Sequence, residues 1–365
     1  MTTATFDCAT WNEIAAQPAI WRAFAGPLAE RSAEIRRWIE AAGIGQVWFC
    51  GAGTSAFIGE TIAAVASPDG PELCAVATTD LVAAPRDHLA AAGSAPLLVV
   101  QFGRSGDSSE TIGTLDLLDR HLPDAHQLAV TCNAAGALAT RRPAGSGRGE
   151  VLLLPEATHD RGFAMTSSYT TMLLAALACF DRSGVDPSER LPRLADAAED
   201  AIRRLAASAP PRPGRAIFLG SGALKGVARE SALKVLELTA GRTATFWDGT
   251  LGFRHGPKAS VDASSLVTVL VHPDPHTGRY DLDVAVEIRR QFPRTEVVTV
   301  GPKGCDVELA LTGDARWDAV LYVLLAQIRA VQWSAALGLD VDDPFAGEGN
   351  LSRVVSGVTL YPFAA

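Results

Sequence analysis

An internal repeat constrains the fold of this 365-residue chain more than any other feature. Three short apolar runs in the first half, at residues 47–50, 97–100 and 128–131, recur 169 positions later, at residues 216–219, 266–269 and 297–300. The same offset maps Gly51 onto Gly220 and Gly53 onto Gly222. A short apolar run followed by glycine and then a helical pattern is typical of a buried parallel strand. We therefore predict an α/β chain with two tandem copies of one unit, each a parallel sheet flanked by helices in three αβα layers of flavodoxin-like type.

The rest of the chain lies before, between and after these two copies. Residues 1–42 are predicted to be a helical segment with Thr10 as its cap, and residues 43–185 form the first domain. An amphipathic helix and a proline-rich linker occupy residues 186–214. Residues 215–340 form the second domain, which ends in an almost wholly apolar helix at residues 317–337, and residues 341–365 form a C-terminal tail.

The composition narrows the possible partners and compartments. A net charge of -9 argues against a nucleic-acid partner, because binding to a phosphate backbone needs a basic face. The six cysteines are scattered without a C-x-x-C pair, which favours a reducing cytoplasm over a disulfide framework. The longest apolar stretch, residues 172–180, is too short to span a membrane, and the first seven residues do not resemble a signal peptide.

A loop rich in small and hydroxyl residues follows the second apolar run. It contains Gly103, Arg104, Ser105 and Ser108, and it lies between the end of a predicted strand and the start of a predicted helix. Backbone N–H groups, hydroxyls and the helix dipole at such a position suit a phosphate dianion. An ordinary turn with a capped helix explains this loop about equally well when it is considered alone.

A second loop of this kind follows the first apolar run, at Gly53, Thr54 and Ser55. The full dinucleotide motif G-x-G-x-x-G is missing, so the loop by itself is weak evidence for a binding site. The two loops should nevertheless meet at the carboxyl edge of one sheet, where ligands bind in such folds. The offset maps Ser105 onto Asp274, and it maps Thr54 and Ser55 onto alanine and leucine, so we expect one sugar-phosphate site per chain.

The second copy contains a different set of chemical groups. Glu230, Lys234 and Glu237 have helical spacing and share one face, for which a solvated charged stripe is the usual explanation. His255 precedes Gly-Pro at the end of a glycine-rich loop, where it could project into a cleft. A carboxylate and a histidine together could shuttle a proton and open a sugar ring.

Two other groups of residues are weaker candidates. Ser167 begins a hydroxyl-rich helix start that could line a site, although a capped helix explains it equally well. His272 and His276 are four residues apart, but the intervening Pro273 and Pro275 argue against a shared helix, so we predict loop residues and no metal site.

These motifs together resemble the two-domain members of the sugar isomerase (SIS) family. The matching segments are residues 53–55, 105–108, 230–234 and 255–257, in the family's order and spacing. The resemblance implies a homodimer or larger assembly with a shared active site, in which His255 could reach the neighbouring subunit. It also implies that neither a metal nor an organic cofactor is required.

The chain also resembles the isomerase domain of glucosamine-6-phosphate synthase, but residues 350–359 contain Arg353 and no lysine where that family has a ketose-binding lysine. The likeness is closer to the galactosamine-6-phosphate deaminase/isomerase subfamily, on residues 11–14, 246–248 and 353–361. This resemblance implies deaminating isomerisation of galactosamine 6-phosphate, with Glu237 as the proton shuttle and His255 as the ring opener. Deamination of glucosamine 6-phosphate, plain aldose–ketose isomerisation and a non-catalytic sugar-phosphate sensor remain the alternatives.

Overall fold

The computed structural model describes residues 6–64, 70–348 and 350–364, and the chain divides into two compact units. The first-copy unit comprises the described parts of residues 23–159, 167–190 and 353–365. The second-copy unit comprises those of residues 1–22, 160–166 and 191–352. Two long helices, α1 (Ala9–Ala41) and α8 (Pro187–Ala206), each contribute residues to both units.

The first-copy unit contains a five-stranded parallel sheet in the order β2-β1-β3-β4-β5. Its strands are β1 (Gln46–Gly51), β2 (Glu72–Ala77), β3 (Leu97–Gly103), β4 (His126–Thr131) and β5 (Gly149–Leu153). Its other helices are α2 (Thr54–Ala63), α3 (Thr78–Ala83), α4 (Pro85–Leu89), α5 (Ser109–His121), α6 (Ala137–Thr140) and α7 (Ser167–Phe180). The two central strands are wholly buried, which explains their uninterrupted apolar sequences.

The second-copy unit repeats this arrangement with the strand order β10-β9-β8-β6-β7. Its strands are β6 (Arg215–Gly220), β7 (Ala244–Asp248), β8 (Ser265–Leu270), β9 (Glu296–Gly301) and β10 (Val307–Glu308). Its helices are α9 (Leu224–Leu238), α10 (Pro275–Gln291) and α11 (Ala315–Ala336), and two short 3₁₀ turns occupy Gly252–His255 and Pro257–Ser260. All six predicted strands are present, and the prediction of two copies of one parallel α/β unit is confirmed.

Alternating side chains of the second sheet contact different helices. Ile217 and Val267 point to the face that packs against α10, and Phe253 from the first 3₁₀ turn joins the same apolar cluster. Phe218 and Leu266 point to the opposite face, where they line a cavity of about 420 Å³ together with residues of α11. Helix α9 packs against α11 and against β6 and β7, so it belongs to this second face.

Two local predictions are wrong. Thr10 does not cap α1, because the helix begins at Ala9 and the Asp342 carboxylate accepts hydrogen bonds from the backbone N–H groups of both residues. His276 lies in the first turn of α10 rather than in a loop, since proline is tolerated at the first helical position and Asp274 caps the helix.

The C-terminal apolar helix α11 is long and apolar enough to cross a membrane by length and composition alone. Within the unit, however, 89% of its most apolar window is buried. It packs against α9 and lines a cavity together with one face of the second sheet, so it is a buried helix of this unit.

Candidate active site

The loop between β3 and α5 leads into the N-terminal turn of a helix. Ser108 caps α5, since its Oγ accepts from the Thr111 N–H at 3.4 Å and lies 2.7 Å from the Thr111 hydroxyl. Gly106 has a φ of 74°, a left-handed conformation that favours glycine. The Ser105 hydroxyl accepts a long hydrogen bond of 3.3 Å from the Asp107 N–H. Ser105 and Ser108 thus lie at the positive end of a 13-residue helix.

Residues at the end of β4 and just after it hold the backbone of this loop. The Asn133 side-chain amide donates to the Ser105 carbonyl at 2.8 Å, and the Thr131 hydroxyl donates to the Gly103 carbonyl at 2.7 Å. Asp107, the one acidic residue in the turn, accepts from the Ala137 N–H at 2.7 Å. Its negative charge is therefore directed to the start of α6, away from the donors at the start of α5.

The second hydroxyl-rich loop follows the neighbouring strand. Strands β1 and β3 are paired in parallel, with Cys50 opposite Gln101, so the loops that follow them leave the same edge of the sheet. Gly53 has a φ of 55°, and the buried Thr54 and Ser55 form the first turn of α2. Ser167 is fully buried as the first residue of α7, a helix that packs against α2.

The C-terminal tail contacts the phosphate loop within the first-copy unit. Arg104 is largely buried and donates from Nη2 to the Arg353 carbonyl at 3.1 Å. Two residues further along the tail, the Val355 carbonyl accepts from the Ser109 N–H at 3.3 Å. The tail therefore lies against the start of α5, and it occupies one of the backbone donors of that helix.

In the second-copy unit, α9 carries a buried ionic group. The Lys234 ammonium lies 2.7 Å from Glu237 Oε2 and 3.3 Å from Glu230 Oε1. Glu230 and Lys234 are fully buried, whereas the Glu237 side chain is 25% exposed. Burial alone would lower the pKa of Lys234, but the charges of the two carboxylates outweigh it and raise that pKa above its ordinary value. The alternative of a solvated charged stripe is therefore wrong for Glu230 and Lys234.

His255 is exposed at the end of the first 3₁₀ turn, and among the described residues it makes no hydrogen bond or ion pair. Gly256, which follows it, has a φ of 127°, and the second 3₁₀ turn begins directly afterwards. Phe253 is buried in the core on the α10 face of the sheet. The structure thus joins Glu230, Lys234 and Glu237 in one cluster and leaves His255 outside it.

The fold and these clusters define the class of protein. Two tandem parallel α/β domains, with a hydroxyl-rich helix start in the first and a buried Glu–Lys–Glu group in the second, are the architecture of a two-domain sugar isomerase (SIS) protein.

Comparisons with known proteins identify the family. No family model matches the chain. A Streptomyces coelicolor protein provisionally named D-galactosamine-6-phosphate deaminase AgaS is 45% identical over 96% of this chain and 95% of its own length. The Escherichia coli D-galactosamine-6-phosphate deaminase AgaS is 42% identical over 86% and 85%. The crystal structure of Escherichia coli tagatose-6-phosphate ketose/aldose isomerase matches with a TM-score of 0.88 at 36% identity, and each chain is fully covered. The chain belongs to the D-galactosamine-6-phosphate deaminase family.

Proposed function

We propose that this protein converts D-galactosamine 6-phosphate and water into D-tagatose 6-phosphate and ammonia. The observation that carries the proposal is the α9 cluster, in which a fully buried lysine holds a partly exposed carboxylate. Lys234 holds the Glu237 carboxylate at 2.7 Å, and a carboxylate whose side chain is 25% exposed can reach a substrate and accept a proton from it. The names and the near full-length alignments of the relatives support the choice of substrate.

The substrate's phosphate is assigned to the hydroxyl-rich loops of the first-copy unit. Ser55, Ser105 and Ser108 would donate hydroxyl hydrogen bonds, together with Thr54, and the Arg104 guanidinium would supply charge. Backbone N–H groups beside Gly53 and Gly103 add donors, because glycine lets a ligand approach the chain closely. Ser167 and Arg353 are assigned to the lining of the site. None of these residues performs chemistry; they fix the position of the sugar.

The proposed chemistry has three steps. His255 moves a proton between the ring oxygen and the anomeric hydroxyl, which opens the sugar to its aldehyde. Glu237 takes the proton from C2 while water protonates the C1 oxygen, giving an enolamine; it then returns its proton to C1, giving a protonated ketimine at C2, and that extra proton returns to solvent when water adds. Water adds to the ketimine, and ammonia leaves as the C2 ketone forms. Lys234 and Glu230 touch Glu237 and its partner rather than the sugar, and they orient the shuttle.

The arrangement within the second-copy unit supports a shared active site in a homodimer or larger assembly. His255 belongs to a turn on the α10 face of the sheet, whereas Glu237 lies on α9, on the α11 face. A Cβ added to Gly249 would lie 3.8 Å from Lys225 Cδ, so the segment leading to His255 starts near the beginning of α9. Glu237 is 12 positions after Lys225, about 18 Å along the helix. On this arrangement, and on the family resemblance, we propose that His255 of one chain serves the site of another copy.

Mixing two inactive variants tests this arrangement. In a dimer of one Glu237→Gln chain and one His255→Ala chain, an exchanged histidine leaves one of the two sites complete. Random mixing should then recover about a quarter of the wild-type turnover. If each histidine serves its own chain, the mixture should stay as inactive as its parents, and the shared site would be refuted.

A substrate screen tests the reaction itself. Galactosamine 6-phosphate, glucosamine 6-phosphate and tagatose 6-phosphate would each be incubated with the enzyme, and both ammonia and sugar products would be measured. Ammonia release with a preference for the galacto sugar supports the proposal. Interconversion of aldose and ketose without ammonia would favour plain isomerisation, the activity for which the Escherichia coli tagatose-6-phosphate ketose/aldose isomerase is named. A Glu237→Gln variant with full turnover would remove the proton shuttle from the mechanism.

We place the enzyme in the cytoplasm. All six cysteines are free thiols, and four of them are buried as small apolar side chains. Burial raises the pKa of both Cys50 and Cys179 to about 12, so neither thiol is a ready nucleophile or disulfide partner.

A further inference from the structure

One carboxylate on α10 holds both flanks of the His255 turn. Glu287 accepts from Arg254 Nε at 2.7 Å through Oε2, and its Oε1 accepts from the Lys258 ammonium. Arg254 directly precedes His255, and Lys258 follows it by three residues. A single side chain thus bridges the two 3₁₀ turns that meet at Gly256.

The backbone of this segment has few other restraints. Inside the turns, the backbone–backbone hydrogen bonds are short-range, such as those from the Arg254 N–H to the Leu251 carbonyl and from the Ala259 N–H to the Gly256 carbonyl. One long-range restraint lies at the far end of the second turn, where Arg215 donates to the Ser260 carbonyl at 2.7 Å. Phe253 anchors the first turn in the core, with 1% of its surface exposed. His255 itself is exposed, and within the described chain it has no hydrogen bond or ion pair that would fix its ring. Its position therefore depends on Phe253 on one side, on the Arg215 contact with Ser260 on the other, and on the Glu287 bridge, which holds the residues nearest to it on both sides.

We propose that Glu287 is a positioning residue that holds the His255 turn in the geometry required for ring opening. This inference rests on the role given to His255 under the proposed function. The ion pairs lie at a partly exposed surface, with side-chain exposures between 18% and 31%, so they contribute little to global stability. Their effect on rate can be much larger, because a displacement of about 1 Å in a catalytic group can cost about 100-fold.

The charges around the turn support the same role for Glu287. Glu287 lies between two cations, Arg254 and Lys258, which lower its pKa below the ordinary range, with the Lys258 hydrogen bond as the largest cause. Without that charge, Arg254 and Lys258 repel each other and both flanks of the turn separate. Glu287→Gln keeps the size of the side chain and removes only the charge.

The test compares Glu287→Gln with Asp283→Asn, a matched loss of one exposed carboxylate one turn earlier on α10 that forms no ion pair among the described residues. We expect Glu287→Gln to lower kcat about 10- to 100-fold with KM changed less than about twofold, a melting temperature close to that of the wild type, and unchanged binding of an acyclic 2-amino-hexitol 6-phosphate. Asp283→Asn should match the wild type, and Glu287→Asp, which keeps the charge, should recover part of the lost rate.

A double-mutant cycle shows whether Glu287 acts through His255. Adding Glu287→Gln to a His255→Ala chain should leave the residual turnover of that chain unchanged if Glu287 only positions that histidine, since spontaneous ring opening still supplies some open-chain sugar. If Glu287→Gln lowers turnover by the same factor in the wild-type chain and in the His255→Ala chain, the inference is overturned. It is also overturned if Glu287→Gln is fully active although His255→Ala is not. Both outcomes leave the proposed function intact. Full activity of His255→Ala itself would refute the ring-opening role in the proposed function, and the positioning role with it.

Discussion

Lys234→Met removes the cation from the buried group on α9 and should destabilise the second-copy unit strongly. Lys234 is fully buried between Glu230, also fully buried, and Glu237. Removing one partner of a buried ion pair costs about 3–5 kcal/mol, since the remaining charge has lost its counter-ion. The unit spans roughly 190 residues, and at about 2.1 cal/mol/K per residue its unfolding entropy is about 0.4 kcal/mol/K. The expected fall in its melting temperature is therefore about 7–12 °C.

The assay is thermal unfolding, with Lys225→Met as the matched control. Lys225 lies on the same helix but is exposed, so its loss should change the melting temperature by less than about 2 °C. The double variant Lys234→Met/Glu230→Gln removes the stranded charge and should regain at least half of the loss. Equal melting temperatures for the Lys234 and Lys225 variants, or no rescue by Glu230→Gln, would refute the view that charge pairing stabilises this cluster.

Two further variants test local features of the units. In the second-copy unit, burial and, after it, the charge of Asp160 raise the pKa of Glu13 from 4.5 to about 7. The protonated form of Glu13 is therefore favoured by folding, and the stability that this gives is complete below pH 4.5 and lost as the pH rises through 7. Such a shift corresponds to about 3 kcal/mol of unfolding free energy, or about 1–2 kcal/mol after solvent screening of this half-buried group. Chemical unfolding should therefore show Glu13→Gln to be more stable than the wild type at pH 8 but not at pH 4.5. Gly106→Ala places a Cβ 3.0 Å from that of Leu138 at a φ of 74°, and steady-state kinetics should show a KM for the sugar phosphate raised several-fold with little change in kcat. An unchanged pH profile for Glu13→Gln, or an unchanged KM for Gly106→Ala, would contradict these two assignments.

The sequence predicts the central strands and not the edges of either sheet. The six predicted strands lie at the centres of the sheets, where burial on both faces produces continuous apolar runs. The edge strands β2 and β7 are half exposed, and their sequences contain charged and small residues without a clear period. Their pairing is set by the crossover from the neighbouring strand, which is a property of the whole sheet.

The sequence likewise predicts only part of the candidate site. The spacing of Glu230, Lys234 and Glu237 predicts a shared helix face, but their burial depends on the packing of α11, almost 100 residues further along the chain. Asn133 and Glu287 have no local signal at all. Each supports a candidate site residue through contacts that span about 30 positions, and such contacts exist only once the strands are paired. Hydroxyl-rich helix starts can be predicted from a sequence, whereas the residues that hold them in place through tertiary contacts cannot.

The second copy shows why one chain should hold one phosphate. At the position that matches Ser105, Asp274 caps α10 by accepting from the N–H groups of its first turn. The fully buried Asp281 accepts from the His272 N–H at 2.9 Å and from the Ser221 hydroxyl at 2.5 Å, so carboxylates of the protein already satisfy these donors near the carboxyl edge of the second sheet. A phosphate there would meet two negative charges. Titration with the acyclic 2-amino-hexitol 6-phosphate should therefore give one site per chain, and Ser105→Ala should lower the affinity of that site. Two sites of similar affinity per chain, or one site unaffected by Ser105→Ala, would show that the second copy still binds phosphate.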